Sequence, residues 1–181
     1  MKALPSIVLI PVVLMAAVLA GCSGNALRPS AQADALKPPR AIPLRLHAAP
    51  KLNTDAQGRP LALVARVYTL RQNAAFEAAP YAAFLKPGAD QEAFGADLVS
   101  VKDVTLVPGQ RYEVLEKVPR EAAYVGVVAL FHAPAPQRWR MSFPAAEAES
   151  AGLTVALQAC ALAAGPGAKP SVAAPGSARC Q

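Results

Sequence analysis

The sequence predicts a mainly β protein: a β-sandwich of about seven strands with a short helical insertion. Three observations carry that prediction. Between Leu44 and Leu157, apolar residues alternate with polar ones, or run unbroken, in blocks of strand length. Proline, glycine, asparagine and aspartate punctuate the blocks. A single stretch, residues 73–95, breaks the β pattern.

The elements follow in order. Leu44, Leu46 and Ala48 alternate with Arg45 and His47, which predicts a strand with one wet face. The loop Asn53-Thr54-Asp55-Ala56-Gln57-Gly58-Arg59-Pro60 is polar and full of turn formers. Leu61–Leu70 reads as a second strand, with Arg66 and Tyr68 sharing its polar face. Asn73 is placed to cap a helix that carries Phe76. Pro80 stops that helix or starts the next piece, since proline is tolerated at a first helical position. Tyr81, Phe84 and Leu85 form the apolar side of this second piece, which Pro87-Gly88 ends. Asp90–Phe94 makes one more turn, closed by Gly95.

Strands resume over residues 97–107. Val99 and Val101 share one phase, Val104 and Leu106 the other, so a bulge is expected at Lys102-Asp103. Pro108-Gly109 fits the centre of a type II turn. The return strand, Arg111–Val118, sets Tyr112, Val114 and Val118 on one face. Tyr124–Phe131 is almost wholly apolar and reads as a strand buried on both faces. Over Arg138–Phe143, Trp139, Met141 and Phe143 point in while Arg138, Arg140 and Ser142 point out. Glu147 and Glu149 fall in a polar linker, and Leu153, Val155 and Leu157 form the last strand. The sandwich is thus expected over residues 44–158, with a Pro/Gly/Ala-rich tail over 159–181.

The N-terminus carries a different kind of signal. Lys2, an apolar run from Ile7 to Leu19, and Leu19-Ala20-Gly21-Cys22 compose a lipoprotein signal peptide over residues 1–21. Ile7–Leu19 is shorter than the roughly 20 residues that span a bilayer. The Cys22 thiol takes a diacylglycerol, the chain is cut before Cys22, and the new amine is acylated. One acyl chain holds a protein only marginally, and two or more hold it stably, at about 0.8 kcal/mol per buried methylene. Ser23 follows the cysteine where aspartate would favour retention in the inner membrane, so sorting convention favours the outer membrane. Residues 22–43 contain Pro29, Pro38, Pro39 and Pro43 and read as a flexible tether. As a coil it spans roughly 25 Å, and at full stretch roughly 70 Å.

The formal net charge is +6, and cleavage removes Lys2 from that total. The basic residues are scattered, and an exported lipoprotein meets no nucleic acid, so a nucleic-acid partner is not expected. With Cys22 assigned to lipid, Cys160 and Cys180 remain, an even pair in an oxidising compartment. Their pairing would close a loop of about 20 residues, worth on the order of 3 kcal/mol in the chain-entropy model. The alternative is two free thiols in a loose tail.

Catalytic chemistry is missing. The histidines, His47 and His132, lie at no metal-ligand spacing from a cysteine. Gly-x-Ser-x-Gly, a Gly-rich phosphate loop and His-Glu-x-x-His are all absent. Neither an enzyme nor a cofactor is therefore expected, beyond the covalent lipid on Cys22. A lipoprotein binding a periplasmic glycan or small ligand is the alternative. It needs an aromatic-lined pocket, and the chain has few aromatic residues (Phe 5, Tyr 4, Trp 1), with Trp139 and Tyr68 the candidates for stacking.

Four segments together resemble the type VI secretion system lipoprotein family TssJ, also called VasD/Lip. They are Leu52-Asn53-Thr54-Asp55-Ala56-Gln57-Gly58-Arg59-Pro60-Leu61, Val64-Ala65-Arg66-Val67-Tyr68-Thr69-Leu70, Val104-Thr105-Leu106-Val107-Pro108-Gly109-Gln110, and Tyr124-Val125-Gly126-Val127-Val128-Ala129-Leu130-Phe131 leading into Trp139-Arg140. The resemblance covers roughly residues 44–145 and includes the signal ending at Cys22. It implies a transthyretin-like β-sandwich with a small helical insertion. It also implies a place on the periplasmic side of the outer membrane, holding the periplasmic part of the inner-membrane protein TssM, which works with TssL. The family's contact loop lies between the first and second strands, which here is Asn53, Thr54, Asp55, Ala56, Gln57, Gly58, Arg59 and Pro60.

Overall fold

Two four-stranded sheets face each other across an apolar core. The computed structural model describes residues 37–86, 88–173 and 180. The signal peptide, Cys22 and the tether up to residue 36 lie outside the described residues, as does Pro87. No helix among the described residues is long and apolar enough to cross a membrane.

The first sheet is ordered β4-β1-β7-β8. It contains β1 (Arg40–Ala48), β4 (Arg111–Val118), β7 (Leu153–Leu157) and β8 (Leu162–Ala164). β1 pairs antiparallel with β4 and parallel with β7. The second sheet, ordered β3-β2-β5-β6, is antiparallel throughout. It contains β2 (Leu63–Leu70), β3 (Leu98–Leu106), β5 (Tyr124–Ala129) and β6 (Arg140–Pro144).

The period-two pattern of β1 decides what fills the core. Ile42, Leu44, Leu46 and Ala48 are buried, while Arg45 and His47 turn outward. β1 starts at Arg40, four residues before the expected boundary. Pro43 reads as a breaker in sequence, yet it sits one residue before the pairing with β7 begins at Leu44. Arg40 is buried, donating through Nη1 to the Arg120 and Ala122 carbonyls, both at 3.1 Å.

The insertion between β2 and β3 comprises α1 (Ala74–Ala78), a 3₁₀ turn (Tyr81–Phe84), α2 (Ala89–Phe94) and a second 3₁₀ turn (Gly95–Asp97). It lies over the outer face of the second sheet, and this reverses one expectation. Tyr68 does not sit on a wet face; it is fully buried. Its ring packs against Phe76, Phe84 and Phe94 with centroids 5.5, 5.9 and 5.9 Å away. Gly126, opposite Tyr68 in the ladder, makes room for this cluster. A Cβ there would stand 2.7 Å from Phe76 Cζ.

Polar contacts fasten the insertion down. The Tyr68 hydroxyl donates to buried Asp90 (3.1 Å), and Arg66 bridges Asp90 and Asp103 at 3.6 and 3.1 Å. Burial pushes the Tyr68 hydroxyl pKa up. Arg140 and Ser142, expected in solvent, are covered as well. Arg140 donates to the carbonyls of Glu77 and Ala79, and Ser142 Oγ accepts from Asn73 Nδ2. Asn73 holds the N-cap position of α1, but its side chain goes to Ser142 instead of capping the helix. Leu85, expected on the apolar side, is 52% exposed.

Three further differences concern β3 and the C-terminal third. β3 passes Lys102-Asp103 without a bulge; the register shift lies opposite Thr69/Leu70, near its start. The phase change arises because β3 is an edge strand in which only Val104 and Leu106 are fully buried, while Leu98 and Val99 are half-buried against the core before the register shift. Residues 145–151 form a helix, α3 (Ala145–Ala151), rather than a linker. Its Glu149 takes both Nη groups of Arg120 at 2.9 Å, and its Glu147 accepts the Lys169 N–H. The sandwich also extends past residue 158, since β8 pairs with β7. Beyond it, the Gly165 and Ala168 N–H groups donate to β7-side carbonyls, and Ser171 N–H donates to Ser142. The start of the tail is thus stitched to both sheets.

Candidate functional site

Four of the inter-strand connections meet at one end of the sandwich. The register pairs His47 with Arg111, Leu63 with Leu106 and Ala65 with Ala129. The β1–β2, β3–β4 and β5–β6 loops therefore emerge together. The β7–β8 loop joins them through Ala135 N–H to the Cys160 carbonyl at 2.9 Å. The chain enters β1 at the opposite end, where Arg40 pairs with Val118.

Asp55 organises the β1–β2 loop. Its Oδ1 accepts the N–H groups of Gln57 and Arg59, both at 2.9 Å, and its Oδ2 accepts Arg59 Nε at 2.7 Å. The backbone closes the same ring: Asp55 N–H donates to Arg59 O, and Gly58 N–H to Asp55 O. These donors hold the Asp55 carboxyl below the usual carboxylate range, the Arg59 backbone N–H first among them. Gly58 has φ +75°, a left-handed conformation that glycine adopts without strain. Ala56, Gln57, Gly58, Arg59 and Pro60 are exposed, and the Arg59 side chain is 74% exposed.

Asn53 and Thr54 play another part. Asn53 is buried; its Nδ2 donates to Ala62 O (2.9 Å) and its Oδ1 accepts the His132 N–H (2.7 Å). Its own N–H reaches Gln158 O, and the Thr54 N–H reaches Ala159 O. Asn53 is thus the root that ties this loop to the β5–β6 and β7–β8 loops. The resemblance includes it in the contact loop; as a buried asparagine at φ 46° with three satisfied groups, it braces that loop.

Cys160 and Cys180 are bonded to each other, with Cα atoms 5.6 Å apart. The bond returns the chain end to the loop cluster, where Cys160 packs with Ala135 and Ala161. Tyr68 and Trp139, the candidates for glycan stacking, are both buried. Trp139 packs edge-on to Phe84 and Tyr81 and lies under the Arg140 guanidinium. Neither ring offers a face to a sugar. Among the described residues, no group of three or more His, Cys, Asp or Glu side chains is arranged to hold a metal.

Residues 40–160 match the family model described as type VI secretion lipoprotein (VasD, EvfM, TssJ). The chain belongs to the type VI secretion lipoprotein family. Solved structures agree. The chain is similar to the T6SS lipoprotein TssJ1 from Pseudomonas aeruginosa, with 27% identity and TM-score 0.62, over 75% of this chain and 100% of that one. A chain of a type VI membrane complex matches with 30% identity and TM-score 0.64, over 70% and 98%. A chain in a structure of the TssM C-terminal domain from EAEC matches with 30% identity and TM-score 0.59, over 68% and 98%. No curated protein sequence matches the chain. Members of this lipoprotein family are structural parts of the secretion apparatus, which puts the chain in the cell envelope.

Proposed function

We propose that this lipoprotein anchors the periplasmic part of a TssM-like inner-membrane protein to the outer membrane, and through it reaches TssL. Cys22 carries the lipid, and Ala56–Arg59 makes the contact. The observation that carries this reading is the arrangement along β1. The tether enters β1 at Arg40, and the braced loop follows its other end beyond Ala48. Anchor and contact therefore sit at opposite ends of one strand. A pull between them runs along β1, which is flanked on both sides by β4 and β7.

Two further features support the reading. The loop is ordered before any partner arrives, so binding costs little additional ordering entropy. The entry end is fastened as well: Arg120 holds Pro38 O and Glu149, while Arg40 Nε lies 3.4 Å from Glu149. The test is recovery of the protein from detergent-solubilised envelopes under secretion-inducing conditions. A TssM-like protein is expected to come with it; its consistent absence would overturn the reading.

A further inference from the structure

The loop end of the sandwich carries unneutralised positive charge beside a cleft. Asp55 is the sole carboxylate across residues 49–62, 107–110, 130–139 and 158–161, and Arg59 already satisfies it. Lys51 and Arg111 are exposed at this end and form no ion pair among the described residues. Next to them lies a cleft of about 360 Å³ whose walls include His47, Pro50, Gly109, Arg111, Ala156 and Gln158. The Glu113 carboxylate on that face lies 3.4 Å from His47 Nε2 and 4.0 Å from Arg45 Nε, and His47 Nε2 is buried without a hydrogen bond. Cleft and loop share a wall, because the Gln158 carbonyl accepts the Asn53 N–H.

We propose that this cleft receives an acidic side chain of the same periplasmic protein that the loop contacts. The inference rests on the reading in the preceding subsection and adds a second point of contact to it. Arg111 receives the carboxylate, for which its planar guanidinium offers paired N–H groups. Lys51 and the exposed edge of Arg59 steer the acidic surface into place. A guanidinium suits a lipid phosphate equally well. The position selects a protein: the cleft lies at the end of β1 farthest from the tether.

The experiment measures association of the mature protein with the purified periplasmic domain of its TssM-like partner, over a range of salt concentrations. Arg111→Glu, Lys51→Glu and Arg111→Lys are compared with the unaltered protein. Vesicles containing phosphatidylglycerol form a parallel arm. Both glutamate variants are expected to associate about tenfold more slowly at low salt and to lose most of the salt dependence. Arg111→Lys keeps the charge and should retain steering while dissociating faster. Unchanged rates in the glutamate variants, with the unaltered protein binding normally, would overturn the inference. So would a loss confined to vesicles, which would assign the patch to lipid. Failure of the unaltered protein to bind defeats the underlying reading, and this inference with it.

Discussion

Arg59 Nε lies 2.7 Å from Asp55 Oδ2, and the Arg59 N–H bonds the other oxygen of the same carboxylate. One side chain thereby fixes both the path of the loop and the aim of its arginine. Asp55→Ala leaves the sheets untouched, so circular dichroism and the unfolding midpoint should stay close to those of the parent. Partner affinity should fall about tenfold, because the loop must then be ordered during binding. Calorimetric titration of both proteins with the partner domain checks this.

The same carboxylate sets a pH window. Its folded-state pKa is depressed, so its contribution is complete above the unfolded value of about 3.9 and is lost as pH falls through the lower folded value. Loop order should be constant from about pH 5 to about pH 8. Protection of the Gln57 and Arg59 amides, taken relative to the intrinsic exchange rate at each pH, should fall only below about pH 4. A loss of protection near neutrality would mean that another group holds the loop.

Gly126→Ala should destabilise the domain by about 1–3 kcal/mol. The added methyl meets the Phe76 ring at 2.7 Å, and that ring is wedged against Tyr68, Phe84 and Phe94. Urea denaturation measures the loss. The cost should fall on the attachment of the insertion, leaving partner binding by the distant loop intact.

Reduction of the Cys160–Cys180 bond, or Cys180→Ser, should cost about 3 kcal/mol by removing the constraint on the unfolded chain. Ala135 and Cys160 also connect two of the clustered loops, so amide exchange should rise in residues 133–137. Denaturation with and without reductant, read alongside exchange, separates the two effects.

Cys22→Ser should leave the domain folded and release it from the membrane fraction, because it removes the acyl chains; no helix among the described residues is long and apolar enough to cross a membrane. Fractionation of envelopes from cells making the variant is the check. Persistence in the outer-membrane fraction would mean that something other than lipid anchors the chain.

Local patterning exposed most of this architecture, and long-range convergence hid the rest. β1, β4, β5 and β7 announce themselves through alternation or unbroken apolar runs, and the β3–β4 turn through Pro108-Gly109, where Gln110 N–H duly reaches Val107 O. α3 stayed hidden because seven alanine- and glutamate-rich residues after Pro144 carry no apolar stripe. β8 is three residues long, too short for any period to register. Alternation puts Tyr68 on the polar face of β2 and Arg140 on the outward face of β6, and only the docked insertion covers those faces. The loop was visible as turn chemistry, but Asn53's bracing role depends on His132 and Gln158, which are remote in sequence. Nothing local marks Arg111; its significance comes from four loops meeting at one end.

Hydrogen-exchange mapping of the mature protein, alone and with the purified TssM-like periplasmic domain, addresses the central claim most directly. Protection of Ala56–Arg59 and its neighbours at the loop end, with the Arg40 end unchanged, is the predicted result. Protection confined to the entry end, or to the outer face of the first sheet, would contradict it.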